Sequence, residues 1–592
     1  MNAASAGVSF AAAEAGWFGD EARPRFGWLH RASTPAALAL VIVPPFGYEA
    51  VCAHRSLRHL AEDAARAGIT AVRFDLDGTG DSAGDDLDPA RVEAWLASID
   101  DACTLARSTG AAQLVLAGVR LGATLATLAA TRRDDVAGLV LINPVVKGKA
   151  FLREARALQA ALGLAPPPTP VADGAQELVG FAISAETQAA LAAIDLTTLP
   201  ACPAPCALLI ERDDMPGSGA LADRLRELGV ALEVQRQCGY AEMMFDPHLT
   251  VVPSAMLAAC IDWLRRRSVA AAVAATAAPM PAARLRRAVR LSTANGEVTE
   301  TVVAIDAHLC GIVSTPDAAE SRRAVVLLNA GGINRIGPNR LYVRYARGGS
   351  GGLPVLRCNV SGIGDNPPRE GIEENLIYGP SMQADAETIV RWARQHVAER
   401  LVVGGLCSAG HYGYKVATAG HPLAGVLAIN SIFCPGTPAL PENYALRRDD
   451  ARYQKRAYSL SAWGKLLRGE VALRDVARVV GWRLARGAAG FWRDLAFHFG
   501  RGDPHATRAE LLRLTRAGVI FHCLYSDEDP TRSMLQDACA GSLGALLRRG
   551  HLRVQVFHEV DHAFTPRWSH PLLLAALHEL ASVTADQRER PS

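Results

Sequence analysis

Val403-Gly-Gly-Leu-Cys-Ser-Ala-Gly410 and, in the first half of the chain, Leu116-Ala-Gly-Val-Arg-Leu-Gly-Ala123 share one plan. An apolar run leads into a residue framed by small ones, and a helical pattern follows. This is the form of a tight strand-to-helix turn written small-x-nucleophile-x-small, where a large side chain two places either side would clash with nearby backbone. The N–H after the central residue then lies at a helix N-terminus, where it can stabilise an oxyanion. The second stretch has two readings. With Ser408 as nucleophile, Leu406 would occupy a position that demands a small residue. With Cys407, Gly405 and Ala409 frame it correctly, and Cys407 is the favoured nucleophile. In the first stretch Gly118 and Gly122 frame Arg120, which falls opposite Cys407 when the halves are aligned. A guanidinium stays protonated and has no lone pair to attack with. The first half is therefore expected to do no covalent chemistry. Arg120 is a possible anion-binding residue, or forms a salt bridge to Asp213 or Asp214.

Outward from these turns, short apolar runs alternate with longer helical patterns, as in a mostly parallel sheet with crossover helices. The runs of the first half are Leu38–Val43, Ile69–Phe74, Gln113–Ala117, Val136–Ile142, Cys206–Ile210 and Ala231–Gln235. Those of the second are Arg323–Leu328, Leu353–Cys358, Leu401–Val403, Leu423–Ile429, Val519–Tyr525 and Leu552–Phe557. Residues repeat as well: Arg73-Phe-Asp-Leu-Asp-Gly-Thr-Gly-Asp81 parallels Arg357-Cys-Asn-Val-Ser-Gly-Ile-Gly-Asp365, and Leu139–Asn143 parallels Val426–Asn430. At 592 residues the chain exceeds what one core supports. Two tandem α/β domains are expected, 1–267 and 291–592, joined by an Ala/Pro-rich linker over 268–290. Inserts at about 146–199 and 434–518, the latter with Trp463, Trp482 and Trp492, are expected as lids over the strand ends, with extra packing on the sheet as the alternative.

Partners follow Cys407 in the order nucleophile, acid, histidine. Ser526-Asp-Glu-Asp-Pro530 offers Asp529 as the acid, with Asp527 as runner-up. His558-Glu-Val-Asp-His-Ala-Phe564 offers His562, since His558 is too close to the strand and His570 opens the next helix. In such a set the acid orients the histidine and the histidine makes or maintains the thiolate. The other oxyanion donor should come from the glycine-rich loop Asn329-Ala-Gly-Gly-Ile-Asn334, as the N–H of Gly331 or Gly332 alongside that of Ser408. In the first half, the corresponding loop Cys238–His248 brings its histidine several residues late.

Composition narrows the classes further. Hydrophobic residues make up 49% and charged residues 21% of the chain, with a net charge of +2 and a mean hydropathy of +0.10. So near-neutral a balance, without clustered Lys/Arg, argues against a nucleic-acid partner. No window reaches the roughly 20 apolar residues of a membrane span, and no signal-like n-region opens the chain. With twelve scattered cysteines, a cytoplasmic protein with free thiols is expected. Cys202-Pro-Ala-Pro-Cys206 lacks the second ligand pair a structural zinc requires, so neither metal nor cofactor is expected.

With these motifs in view, the chain resembles bacterial α/β-hydrolases of the serine aminopeptidase S33-like group, including those termed exosortase A system-associated hydrolases. The first half carries the resemblance through Pro44–Arg55, the Phe74–Gly84 turn and Gly118–Gly122. The second carries it through the Asn-Ala-Gly loop, Ile336-Gly-Pro-Asn-Arg340 and the Gly-Leu-Cys-Ser turn. The resemblance implies two α/β-hydrolase domains, each a mostly parallel sheet flanked by helices with an inserted lid, and a setting in envelope-polysaccharide or secondary-metabolite pathways. Two departures stand out: Arg120 replaces the usual serine, and Ala409-Gly410 reverses the usual Gly-Ala. The activity expected is hydrolysis or acyl transfer on a small-molecule ester or thioester through an acyl-Cys407 intermediate. The alternative is a catalytically inactive two-domain scaffold. Peptidase activity rests on fold analogy alone.

Overall fold

The computed structural model describes residues 8–10, 13–33, 37–164, 174–274, 283–317, 322–434, 436, scattered positions from 481 to 499, 506–527, 529–539 and 542–586. The chain divides into two compact units. The first comprises 1–319, 332–376 and 566–568; the second comprises 320–331, 377–565 and 569–592.

In the first unit, β1 (Val8–Phe10), β2 (Ala13–Phe18), β3 (Arg25–His30), β4 (Leu38–Val43), β5 (Thr70–Phe74), β6 (Gln113–Val119) and β7 (Val136–Ile142) come first in the chain. A small hairpin, β8 (Gln176–Leu178) with β9 (Phe181–Ile183), separates them from β10 (Cys206–Arg212) and β11 (Ala231–Gln237). The nine-stranded sheet has the order β1-β2-β3-β5-β4-β6-β7-β10-β11. It is antiparallel as far as the β3–β5 pair and parallel beyond it. A parallel strand covered on both faces reads as a continuous apolar run. Accordingly all six residues of β4, Leu-Ala-Leu-Val-Ile-Val, are fully buried. Leu38, Leu40 and Ile42 pack with Leu57, Leu60 and Trp263 from helices Tyr48–Arg66 and Ser254–Ala274. Ala39, Val41 and Val43 pack on the other face with Trp95, Ile99 and Leu125 from helices Arg91–Arg107 and Leu121–Ala130.

The insert 146–199 contains the helix Gly148–Ala161, the β8–β9 hairpin and the helix Ala185–Ala192. Its Phe151, Leu152, Phe181, Ile183 and Leu191 join the same apolar core, and Phe181 meets Phe46, beyond the end of β4, at 6.1 Å. Most of 434–518, with Trp463 and Trp482, lies outside the described residues.

The later strands are β12 (Ala288–Thr293), β13 (Gly296–Ala304), β14 (Cys310–Pro316), β15 (Arg323–Leu328), β16 (Val355–Cys358), β17 (Arg400–Leu406), β18 (Gly425–Ile429), β19 (Ile520–Ser526) and β20 (Leu552–Phe557). Within the first unit, β12–β13, β13–β14 and β14–β16 pair antiparallel. In the second unit, β15, β17, β18, β19 and β20 pair in that order, all parallel.

The stretch 268–290 is not a plain linker. Helix Ser254–Ala274 runs into it and β12 opens at Ala288. Within the basic run Arg284–Arg290, Leu285 is buried, and Arg286 exchanges both backbone hydrogen bonds with Trp17, at 2.9 and 2.7 Å. The units also divide elsewhere than at this stretch, since 332–376 belongs to the first.

Buried charge explains that membership. The Asp365 carboxylate accepts from Arg73 at 2.6 Å and from Arg335 at 2.5 Å, with His54 Nε2 at 3.1 Å. Asp81 pairs with Arg357 and, at 2.9 Å, with Arg335. Arg357 also reaches Glu300 at 3.0 Å. The arginine of each repeated turn thus serves the aspartate of the other. Burial alone would push the Asp365 carboxyl up; Arg73, His54 and Arg335 outweigh it and hold the group well below the ordinary range. Among the described residues no carboxylate is in hydrogen-bond contact with Arg340. Its guanidinium is caged by the carbonyls of Gly78, Gly80, Ser82 and Gly84 at 2.6 to 2.8 Å.

Removing one partner of a buried charge cluster strands the rest, at a cost of about 3–5 kcal/mol. Asp365→Leu is expected to destabilise the first unit by that amount in urea unfolding, and adding Arg73→Met should recover part of the loss. An unchanged midpoint for Asp365→Leu would contradict the assignment.

Candidate active site

Cys407 sits between β17 and the helix Ser408–Thr418 with φ 56° and ψ −113°. A cysteine rarely adopts this left-handed backbone, which costs of order 1–3 kcal/mol and persists only where surroundings impose it. Here the Cys407 N–H bonds the Ile429 carbonyl of the neighbouring β18 at 2.8 Å. The first-half turn has the same form: Arg120 adopts φ 53° and ψ −123° ahead of helix Leu121–Ala130, and its N–H bonds Ile142 of β7 at 3.0 Å. Gly122 follows because a Cβ there would lie 2.4 Å from the Val43 carbonyl oxygen.

The three residues expected to work together in the second half are brought together. His562 Nδ1 lies 2.5 Å from Asp529 Oδ2. The other carboxylate oxygen, Oδ1, accepts the Thr531 N–H at 2.9 Å, which holds Asp529 at the start of the helix Pro530–Cys539. The imidazole is also near enough to Cys407 for the two side chains to act on each other's charge. Burial would raise the Cys407 pKa; the charge and hydrogen bond of His562 outweigh it and bring the thiol below its ordinary value. Burial likewise opposes the His562 cation, but Cys407 and Asp529 carry its pKa well above the imidazole range. Both directions favour the charged forms, a thiolate beside an imidazolium. The His562 side chain remains 39% exposed.

The other candidates stand apart. Asp527 pairs with the exposed His558 at 3.2 Å, and His570 is buried against the Phe564 carbonyl. Ser408 is fully buried; its Oγ accepts the Gly331 N–H at 3.0 Å and donates to the Asn329 carbonyl at 3.3 Å. The Gly331 N–H, an expected oxyanion donor, is here engaged by a neighbouring hydroxyl. Gly332 falls in the first unit, where a Cβ would meet the Pro247 carbonyl oxygen at 2.7 Å.

Two residues not singled out in the sequence complete the arrangement. Asn430 has φ 46°, donates Nδ2 to the His562 carbonyl at 2.8 Å and accepts the Ser526 N–H at 2.9 Å. It thereby ties the histidine loop to the end of β19, where the acid loop starts. Its repetition in Leu139–Asn143 and Val426–Asn430 was the available signal. Tyr378 places its hydroxyl 3.9 Å from Cys407 Sγ, and no motif marks it.

In the first half, Arg120 donates Nε to Glu49 at 2.8 Å and pairs with Glu154 through a second nitrogen. The expected partner Asp214 is instead held by Arg212 at 2.8 Å. Arg120 has carboxylates on its own guanidinium, which leaves the anion-binding expectation without support. Tyr240, under the Arg212 guanidinium at 4.5 Å, carries a phenol pushed up to about 12 by burial. His248 lies at the surface against Asp246.

All twelve cysteines are free. Among the described residues no His, Cys, Asp and Glu cluster has the geometry of a metal site, and no helix is long and apolar enough to cross a membrane.

Residues 51–192 match the model of the serine aminopeptidase S33 family, an α/β-hydrolase family, in agreement with the sheet order of the N-terminal region. Similar solved structures include Est1E from Butyrivibrio proteoclasticus with ferulic acid bound, at 16% identity and a TM-score of 0.32, over 43% of this chain and 99% of that one. A proline iminopeptidase from Mycobacterium smegmatis is 16% identical with a TM-score of 0.29, over 44% and 99% of the two chains. A Pyrobaculum calidifontis esterase is 17% identical with a TM-score of 0.32, over 45% and 87%. Among curated proteins nothing matches.

The pair directions predict that Cys407 is alkylated by iodoacetamide at pH values where an ordinary thiol is protonated. His562→Ala should raise the thiol pKa and slow alkylation at pH 6 by 10-fold or more. Equal rates in the two proteins would exclude the ion pair.

Proposed function

We propose that the chain is a hydrolase or acyltransferase for a small-molecule ester or thioester, working through an acyl-Cys407 intermediate with His562 and Asp529. On this reading it consists of two tandem α/β-hydrolase domains, of which the first no longer catalyses. The observation that carries the proposal is the Asp529–His562 hydrogen bond acting on Cys407, which sits on a strained strand-to-helix turn. The tandem reading draws support from chain order. In both halves antiparallel strands lead into parallel ones, a positive-φ residue sits at the same turn, and an asparagine with positive φ closes the next strand.

The chemistry follows from the resting pair. The Cys407 thiolate attacks the acyl carbon, a C–S bond forms, and the carbonyl electron pair moves to oxygen. Collapse of this intermediate breaks the bond to the alcohol or thiol, which leaves with the proton of the His562 imidazolium. Neutral His562 then takes a proton from water or an acceptor as that nucleophile attacks the acyl-cysteine. The thiolate departs and the ion pair is restored. A thiolate attacks and leaves readily, which suits thioester exchange. Asp529 keeps the imidazole in the required tautomer and stabilises its cation.

For the first half a binding or scaffolding role is the better reading. Arg120 has no lone pair for attack, and Glu49 and Glu154 pair with it.

Incubation with a panel of acyl thioesters and activated esters should give an acyl adduct in the intact mass of the wild type and none for Cys407→Ala. Loss of adduct is also expected for His562→Ala, whereas Arg120→Ala should keep most turnover. Absence of adduct from every donor would leave the scaffold reading for the whole chain. Equal loss in all three variants would end the proposed division of labour.

A further inference from the structure

Hydrolysis or transfer through an acyl-cysteine needs two donors aimed at the oxygen that becomes negative, and their placement is commonly the largest single contribution to the rate. The Ser408 N–H, in the first turn of its helix, is the usual first donor. The loop after β15 is the usual source of the second, but its Gly331 N–H donates to Ser408 Oγ at 3.0 Å. Asn329 Nδ2 holds the Gly331 carbonyl at 2.8 Å, so the loop is fixed in this arrangement from both sides.

A different donor faces the sulfur. Tyr378 precedes the helix Met382–His396, and its hydroxyl is 3.9 Å from Cys407 Sγ. The ring is held on two sides, edge to face against His411 with centroids 5.5 Å apart and tilted against Tyr412 at 6.2 Å. The backbone beneath it is fixed as well, because the Tyr412 hydroxyl donates to the Ile377 carbonyl at 2.8 Å. A donor held so firmly costs little reorganisation at the moment of reaction.

Resting on the acyl-cysteine reading, we propose that Tyr378 is a further catalytic residue, whose hydroxyl replaces the Gly331 N–H as second donor to the oxyanion. In the resting site the O–H faces the thiolate. When Sγ forms its bond to the acyl carbon, sulfur loses its charge and the oxygen on that carbon gains it. The same O–H then turns from sulfur to that oxygen, two bonds away, without the phenol giving up its proton. When the intermediate collapses the carbonyl re-forms, and the next attack recharges the same oxygen. Burial and the adjacent Cys407 push the phenol far above its ordinary range, which favours the protonated, donating form.

The test is Tyr378→Phe, which keeps the ring packed on His411 and Tyr412. Single-turnover acylation by p-nitrophenyl butyrate is expected to slow about 10²–10³-fold, with the half-saturating concentration unchanged. In a second measurement, the iodoacetamide pH profile of Cys407 should shift to higher pH, because the thiolate loses a donor. Acylation within two-fold of wild type would overturn the inference, as would an unchanged alkylation profile. A wild type that forms no adduct would instead overturn the acyl-cysteine reading, while the alkylation profile still decides whether Tyr378 serves the thiolate.

Discussion

The exchange of charged side chains between two similar turns governs the first unit. Arg73 reaches Asp365, Arg357 reaches Asp81, and Arg335 touches both aspartates. All five are nearly inaccessible to water. Such a cluster is a poor source of net stability, since the desolvation of each ion offsets most of the attraction. Its effect is to make alternatives costly: any arrangement that separates residues 335–365 from residues 73–81 leaves several buried charges without partners. Arg340 acts in the same direction without a carboxylate. Its cage of four carbonyls fixes the glycine-rich turn 78–84, and Arg347 adds bonds to Asp81 and Ser82 of the same turn at 2.7 and 2.8 Å.

A second constraint concerns the strand-to-helix turns. Arg120 and Cys407 differ in every chemical respect, yet their backbones agree within about ten degrees in φ and ψ. Strain of this sort is usually associated with catalysis. Its retention at Arg120 indicates that the fold itself imposes the geometry, through the strand hydrogen bond at each turn and the close approach of backbone at Gly122. The chemistry is then a matter of which side chain occupies the position and which groups surround it.

All twelve runs read from the sequence overlap strands; central ones such as β4 announce themselves by continuous apolar character, whereas β11 and β20 are part-exposed and carry polar residues. The antiparallel strands β2, β3 and β12–β14 were not legible. Arg25-Phe-Gly-Trp-Leu-His30 hides a buried arginine and a buried histidine, and β12 lies in a basic stretch that resembles a linker. Tertiary pairing, which no local pattern records, accounts for both. At the site, chain order and turn chemistry were enough to bring Cys407, Asp529 and His562 forward. Tyr378 was invisible because a tyrosine ahead of a helix carries no signature. Likewise nothing local reveals that Ser408 Oγ captures the Gly331 N–H, or that Arg120 prefers Glu49 to Asp214, since each depends on elements far apart in sequence.

The Arg73–Asp365 and Arg357–Asp81 pairs are reciprocal: each repeated stretch gives an arginine and receives one. Arg335 breaks that pattern. As one side chain it pairs with both aspartates at once, so the exchange is not evenly matched. On the tandem reading, joining the copies in one polypeptide makes a single central arginine attainable. On that reading nothing has to appear in duplicate, and the two turns are free to carry Arg120 in one half and Cys407 in the other.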